Sequence, residues 1–154
     1  INETIKAITK LDYQVIWLWP NVDAGSDIVS KRIRIFREEK KPLHIRWQKN
    51  YNPEDYLKLI YNSSCLVGNS SSAIREGAFL GIPAVNIGNR QNGRVFSKNI
   101  INSNYSKENI KKSLKMLLNS KFKSSLKSTK NFYYQKNAIK KTYKKILLIM
   151  DALN

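Results

Sequence analysis

The chain is predicted to be an α/β protein: one open, mostly parallel sheet with helices on both faces. Three observations carry that expectation. Short β-prone runs alternate with helix-period segments along all 154 residues, as successive strand and helix units of a parallel sheet do. Tyr13–Trp17 is an apolar and β-prone run, which suits a strand covered on both faces. The stretch C-L-V-G-N-S-S-S-A-I-R-E-G-A-F-L-G from Cys65 to Gly81 passes from an apolar run through a tight turn into a helical pattern.

In order, Ile1–Lys10 reads as a helix with Ile1, Ile5 and Ile8 on one side, followed by the strand Tyr13–Trp17, which Pro20 ends. Trp19–Ser26 is a loop, and Ser26 or Asp27 is the expected N-cap of a helix to about Glu39, with Ile28, Ile33, Ile35 and Phe36 apolar. Pro42–Trp47 is the second strand. It carries the only histidine, His44, which is read as structural. Gln48–Asn52 is a polar loop holding Tyr51, and Pro53 is well placed as the first residue of a helix through about Asn62. The third strand, Cys65–Val67, ends at Gly68 and Asn69; three serines open a helix with Ala73, Ile74, Ala78 and Phe79 apolar, which Gly81 closes. Pro83–Ile87 is a strand, Gly88–Arg94 a loop, and Asn99–Ile101 an edge strand. Ser106 opens a helix to about Leu118 with Glu108 in its first turn, and Lys121–Lys130 is a short helix. In Asn137–Leu153, Ile139, Tyr143, Ile146, Leu147 and Met150 recur at helical spacing, a stripe expected in the core, although a partner is a second possible use of it.

Composition narrows the function. The length suits one domain with a proper core. The chain begins with Ile1, so a leader has been removed or an upstream portion is absent, and no apolar run approaches the roughly 18 to 20 residues of a membrane span. One cysteine, Cys65, forms no internal disulfide, which points to a reducing, cytosolic setting. The formal charge of +17 raises nucleic acid as a partner. The excess is concentrated after residue 100, where 13 lysines and no arginine stand against Glu108 and Asp151. Lysines spread over polar helix faces read as solvated surface, since arginine makes most specific base contacts.

The serine stretch carries the chemistry. A helix that starts directly after a strand points unpaired N–H groups and its positive dipole end into the crevice at the strand's carboxyl end, where anions bind. Ser70, Ser71 and Ser72 add hydroxyl donors, and Gly68 permits close backbone approach. Glu76 would repel a neighbouring phosphate, whereas a vicinal diol can donate to both of its carboxylate oxygens. Phosphate at the serines with ribose at Glu76 describes a nucleotide diphosphate. A plainer reading competes on equal terms: a serine N-cap with an acidic residue in the first turns.

Three segments in fixed order then carry a resemblance. W-P-N-V-D-A-G-S at Trp19–Ser26, G-N-S-S-S-A-I-R-E-G-A-F-L-G-I-P at Gly68–Pro83 and N-I-G-N-R-Q-N-G-R at Asn86–Arg94 resemble the C-terminal half of the UDP-N-acetylglucosamine 2-epimerases. The first and third are similar to the hydrolysing branch, which supplies N-acetylmannosamine-type sugars for sialic-acid-like nonulosonates. The resemblance implies a Rossmann-like domain, the C-terminal half of a two-domain GT-B architecture. It implies that Ser70 and Ser71 grip the UDP diphosphate, that Glu76 holds the ribose hydroxyls and that Arg90 neutralises the leaving group. Arg94 assists or, as favoured here, anchors the loop. Asn21 matches a ligand-side residue, while Asp23 and Ser26 cap the following helix. Tyr51 lies where the family places its uracil contact, commonly a histidine or another aromatic; an ordinary surface tyrosine is the competing reading.

Family chemistry removes the C2 proton, expels UDP and adds water to a glycal-like intermediate. The carboxylates and the histidine for it come from the N-terminal half and the crevice between the two halves, so the resemblance implies no catalytic residue in this chain, which would not turn over alone. It implies no cofactor and no metal, and pairing into a homodimer is open. Two rival readings stay on the table: the donor-binding domain of a GT-B glycosyltransferase, which also sets a glutamate near ribose, and a lysine-driven nucleic-acid binder.

Overall fold

All strand pairing among the described residues is parallel. In the computed structural model, which describes residues 1–9, 11–21, 25–126 and 132–153, β1 (Val15–Leu18) pairs with β2 (Ile45–Gln48), and β4 (Ala84–Ile87) lies between β3 (Leu66–Gly68) and β5 (Ile100–Ser103). The helices are α1 (Asn2–Ile8), α2 (Ser26–Lys40), α3 (Pro53–Asn62), α4 (Ser71–Ile74), α5 (Glu76–Leu80), α6 (Lys107–Leu117), α7 (Ser120–Ser125) and α8 (Ala138–Asp151). The expected single sheet is therefore divided into two hydrogen-bonded ladders. With only three residues, β3 has few ladder positions to offer, and side chains rather than backbone bonds continue the layer. Val15 and Trp17 of β1 and Cys65 ahead of β3 pack on one cluster formed by Ala7, Ile8, Val85, Ile87, Ile110, Leu114 and Leu117.

Strand β4 is buried along its whole length. Alternate side chains of a strand face opposite ways, so Val85 and Ile87 meet α1 and α6, while Ala84 and Asn86 face the side on which α4 contacts the strand. Helices on both faces follow, as the alternation of elements predicted. Each fully buried Ile or Leu of this cluster contributes about 1.5–3 kcal/mol through removal from water. Around the first ladder, Trp17 stacks on Trp47 with centroids 5.5 Å apart, and Phe36 of α2 meets Trp47 edge-on at 6.0 Å.

Local chemistry explains most boundaries. Asn52 caps α3 by accepting from the Asp55 N–H at 2.9 Å, with Pro53 at the first helical position. Ser106 caps α6 in the same way through the Asn109 N–H at 3.2 Å, and Gly81 is the C-cap of α5. Other expectations need correction. Tyr13 is half exposed and precedes β1, because pairing begins where the Val15 N–H meets the His44 carbonyl at 2.9 Å. Ile16 is also exposed, so β1 is covered less completely than an apolar run suggests. Pro42–His44 forms a turn, the Ile45 N–H donating to the Pro42 carbonyl, and β2 starts only after it. Neither Ser26 nor Asp27 caps α2: Gly25, at φ 79°, is the N-cap and no side-chain cap bond forms. Asp23 lies outside the described residues, as do residues 127–130 of the expected Lys121–Lys130 helix, whose described part is α7.

The final stripe is not core. None of the α8 residues is buried, and Ile139 is 88% exposed. The spacing does form a helix, but α1 and α6 already close the core over β4 and leave the stripe in solvent. Just ahead of α8, the Tyr134 ring rests against Phe79 at 5.3 Å and the Tyr133 hydroxyl donates to the Val95 carbonyl at 2.8 Å. No helix among the described residues is long and apolar enough to cross a membrane.

Burial raises the Cys65 thiol pKa above its ordinary value, with nearby Lys123 opposing in part. The thiolate is the reactive form, so Cys65 is expected to react with a disulfide reagent far more slowly in the folded chain than in urea at the same neutral pH. Equal rates would show that the side chain is not shielded as the packing implies.

Candidate functional site

Strand β3 ends at Gly68, whose φ of 146° is open to glycine and to few other residues. A Cβ at this position would meet nothing within 4 Å in the protein, so the fold itself requires glycine here for its dihedral, and the space beside it is open. Asn69 follows, then Ser70 as N-cap of α4, its Oγ accepting from the Ser72 N–H at 3.3 Å. Ser70 is exposed, while Ser71 and Ser72 are half-buried.

The helix expected to run on to Gly81 is interrupted at Arg75, leaving α4 with four residues and α5 with five. Asn99 supplies the physical reason. Its Nδ2 donates to the Ala73 carbonyl at 3.1 Å, the acceptor that an unbroken helix would pair with the Gly77 N–H, and also to the Ile82 carbonyl at 2.9 Å. A long-helix dipole is consequently not available to the serine loop, and anion attraction there falls to the local N–H and hydroxyl groups.

Glu76 is the first residue of α5. Its Oε1 stands 3.5 Å from Arg75 Nη2, whereas Oε2 is buried and has no hydrogen-bond partner among the described residues. A buried carboxylate oxygen without a donor is costly, and its usual explanation in a native fold is a group outside the chain that donates to it.

The loop after β4 bears Arg90 and Arg94, both exposed. The Gly88 N–H donates to the Ser103 carbonyl at 2.8 Å, and Gly88 adopts φ 80° with the Tyr105 ring so close that a Cβ would come within 2.3 Å of it. The Tyr105 hydroxyl donates to Asn89 Oδ1 at 3.0 Å. Gln91 is buried and its Nε2 donates to the Asn69 carbonyl at 2.7 Å, which joins the arginine loop to the serine loop. Both loops leave the carboxyl ends of neighbouring parallel strands, where α/β sheets bind ligands.

Asn21 and Tyr51 follow β1 and β2, whose ends are held together by the Trp19 N–H bonding to the Gln48 carbonyl at 3.0 Å. Tyr51 is half-buried, its N–H donating to Asn50 Oδ1 at 2.9 Å, and Asn21 is exposed. Among the described residues no hydrogen bond links this pair to the serine or arginine loops. His44 sits ahead of β2, at the opposite end of the strand from Tyr51. The described residues contain no cluster of three or more His, Cys, Asp or Glu side chains able to hold a metal. Sequence reasoning singled out Glu76 and the arginines but missed Gln91, Asn99 and Tyr105. An amide or phenol in a polar loop gives no sign that it will be bonded to a distant segment.

Comparison with known proteins gives the family and the fold. The sequence profile of the UDP-N-acetylglucosamine 2-epimerases matches residues 1–147. The chain is 35% identical over 141 residues to the polysialic acid biosynthesis protein P7 of Escherichia coli, covering 90% of this chain and 35% of that protein. It is 31% identical over 118 residues to the hydrolyzing UDP-N,N'-diacetylbacillosamine 2-epimerase of Legionella pneumophila, covering 77% of this chain and 30% of that one. The chain thus spans about a third of the length of these relatives. Its fold matches the crystal structure of Methanocaldococcus jannaschii UDP-GlcNAc 2-epimerase in complex with UDP-GlcNAc and UDP, with a TM-score of 0.68 at 18% identity over 98% of this chain and 39% of that one. The architecture is the Rossmann-like α/β fold of a GT-B-type enzyme, and on the extent of the profile match the chain belongs to the UDP-N-acetylglucosamine 2-epimerase family.

Proposed function

We propose that the chain is the UDP-binding, C-terminal half of a hydrolysing UDP-N-acetylglucosamine 2-epimerase that yields an N-acetylmannosamine-type sugar and UDP. The observation that carries this reading is the buried, unpartnered Oε2 of Glu76 one turn beyond three serines. A ribose diol donates to that carboxylate, the diphosphate takes the Ser70 and Ser71 groups, and Arg90 offsets the charge that UDP gains as its bond to the sugar breaks. Asn21 and Tyr51 take the sugar side and the uracil, Ser72 and Gly68 shape the turn, and Arg94 anchors its loop. The hydrolysing assignment rests on the first and third sequence segments and on the name of the Legionella relative. The acid and base come from the part of the polypeptide that the relatives carry beyond the matched third, and a reducing, cytosolic setting suits the lone cysteine.

Calorimetric titration tests this directly. The chain is expected to bind UDP about ten- to a hundredfold more tightly than 2′-deoxy-UDP, the range given by one hydrogen bond to a charged group. It is expected to release no UDP from UDP-N-acetylglucosamine by itself. Failure to bind UDP would overturn the site, and UDP release by the chain alone would overturn the placement of the catalytic groups elsewhere.

A further inference from the structure

Arg90 is exposed, yet both of its neighbours are pinned. On one side Asn89 is bonded to the Tyr105 hydroxyl at 3.0 Å, and on the other Gln91 reaches back 22 residues to the Asn69 carbonyl at 2.7 Å. Gln91 is 4% exposed in a loop whose residues Asn89, Arg90, Asn92, Gly93 and Arg94 are all exposed. Burying an amide is unfavourable unless it is bonded, so a solvated glutamine would be the default here; Nε2 is bonded, while the buried Oε1 finds no partner among the described residues. The acceptor it finds is the residue between Gly68 and the Ser70 N-cap.

We propose that Gln91 is a positioning residue that fixes the separation between the serine loop and Arg90, the two sides of the diphosphate site. The proposal rests on the UDP reading above and adds how its two sides are kept in register. A diphosphate shared between hydroxyl and N–H donors on one loop and a guanidinium on another is held well only if the loops keep a set spacing, since misplaced donors lose most of their worth. Neither loop is a regular element, and a bond between the amide and the backbone ties them without using any group that would touch the ligand.

The test is a double-mutant cycle on UDP affinity, measured by calorimetry on the chain. Gln91→Met keeps the length of the side chain and removes the donor, and is expected to weaken UDP binding by about tenfold. In an Arg90→Ala background the same change is expected to cost less than about twofold, because no guanidinium remains to be positioned. An equal cost in both backgrounds, or no cost in either, overturns the proposal. Should Gln91→Met fail to fold, Gln91→Glu serves instead. Its carboxyl donates to the Asn69 carbonyl only when protonated, and burial at this site raises the carboxyl pKa, so its UDP affinity relative to the unmodified chain is expected to recover as pH falls from about 8 to about 4, and to recover less in an Arg90→Ala background. A flat ratio overturns the proposal. Failure of the UDP reading is distinguishable, since the unmodified chain would then not bind UDP or Glu76→Ala would leave binding intact. Failure of Gln91 alone leaves Glu76-dependent binding in place.

Discussion

Glu76→Ala is expected to lower UDP affinity by about a hundredfold and to erase the preference for UDP over 2′-deoxy-UDP. Two hydrogen bonds from a diol to a carboxylate, at about 1.5–3 kcal/mol each, exceed the roughly 2.8 kcal/mol that a hundredfold requires. The effect on stability separates a ligand-holding glutamate from a helix-start glutamate. If Glu76 served only α5, its loss would destabilise the fold by a few tenths of a kcal/mol to about 1 kcal/mol. In the structure Arg75, an ionic neighbour, is half exposed and 3.5 Å away, which is worth little, while Oε2 is buried without a donor among the described residues. Removing such a carboxylate relieves a desolvation cost, so the thermal midpoint is expected to hold or rise while binding collapses. Glu76→Gln should fall between, keeping one acceptor oxygen and losing the charge. A midpoint that falls with binding unchanged would return Glu76 to the role of a helix-start residue.

That contrast marks what the amino-acid order disclosed and what it withheld. Strand and helix identity followed from periodicity, since burial against a shared core imposes it: α3 and α6 begin and end close to where their caps and apolar spacing predict. The chemical grouping of serines, Glu76 and Arg90 was likewise legible, because unusual residue types crowd short segments there. Long-range polar contacts were not. The Asn69 to Gln91 bond and the reach of Asn99 to Ala73 span 22 and 26 residues, and nothing local distinguishes these amides from solvated ones. The α8 stripe misled in the opposite direction. Periodicity reports that a face is apolar and says nothing about which surface covers it.

Asn99→Leu is the second large effect expected, about 2–5 kcal/mol of lost stability, visible as a lowered urea midpoint with little change in slope. Leucine keeps the branched shape but is bulkier and donates nothing, so overpacking adds to the loss by two buried carbonyls, Ala73 and Ile82, of the Nδ2 that lies 3.1 and 2.9 Å from them. Each orphaned acceptor costs about 1–3 kcal/mol, in full for the Ile82 carbonyl and for the Ala73 carbonyl to the extent that no backbone N–H takes it up, Asn99 being 2% exposed. The backbone bond from the Ala84 N–H to the Asn99 carbonyl is untouched, which confines the loss to the side chain. Asn99→Asp should be worse than leucine, since an ionised carboxylate would face two carbonyl oxygens in a buried position. The consequence reaches Glu76 as well. With Asn99 gone, the Ala73 carbonyl is free to accept the Gly77 N–H, which favours one continuous helix across Arg75 and turns the glutamate relative to the serines. Asn99→Leu is therefore expected to weaken UDP binding even under conditions where the variant is fully folded. An unchanged midpoint together with unchanged affinity would mean that the break in the helix is not held by this side chain.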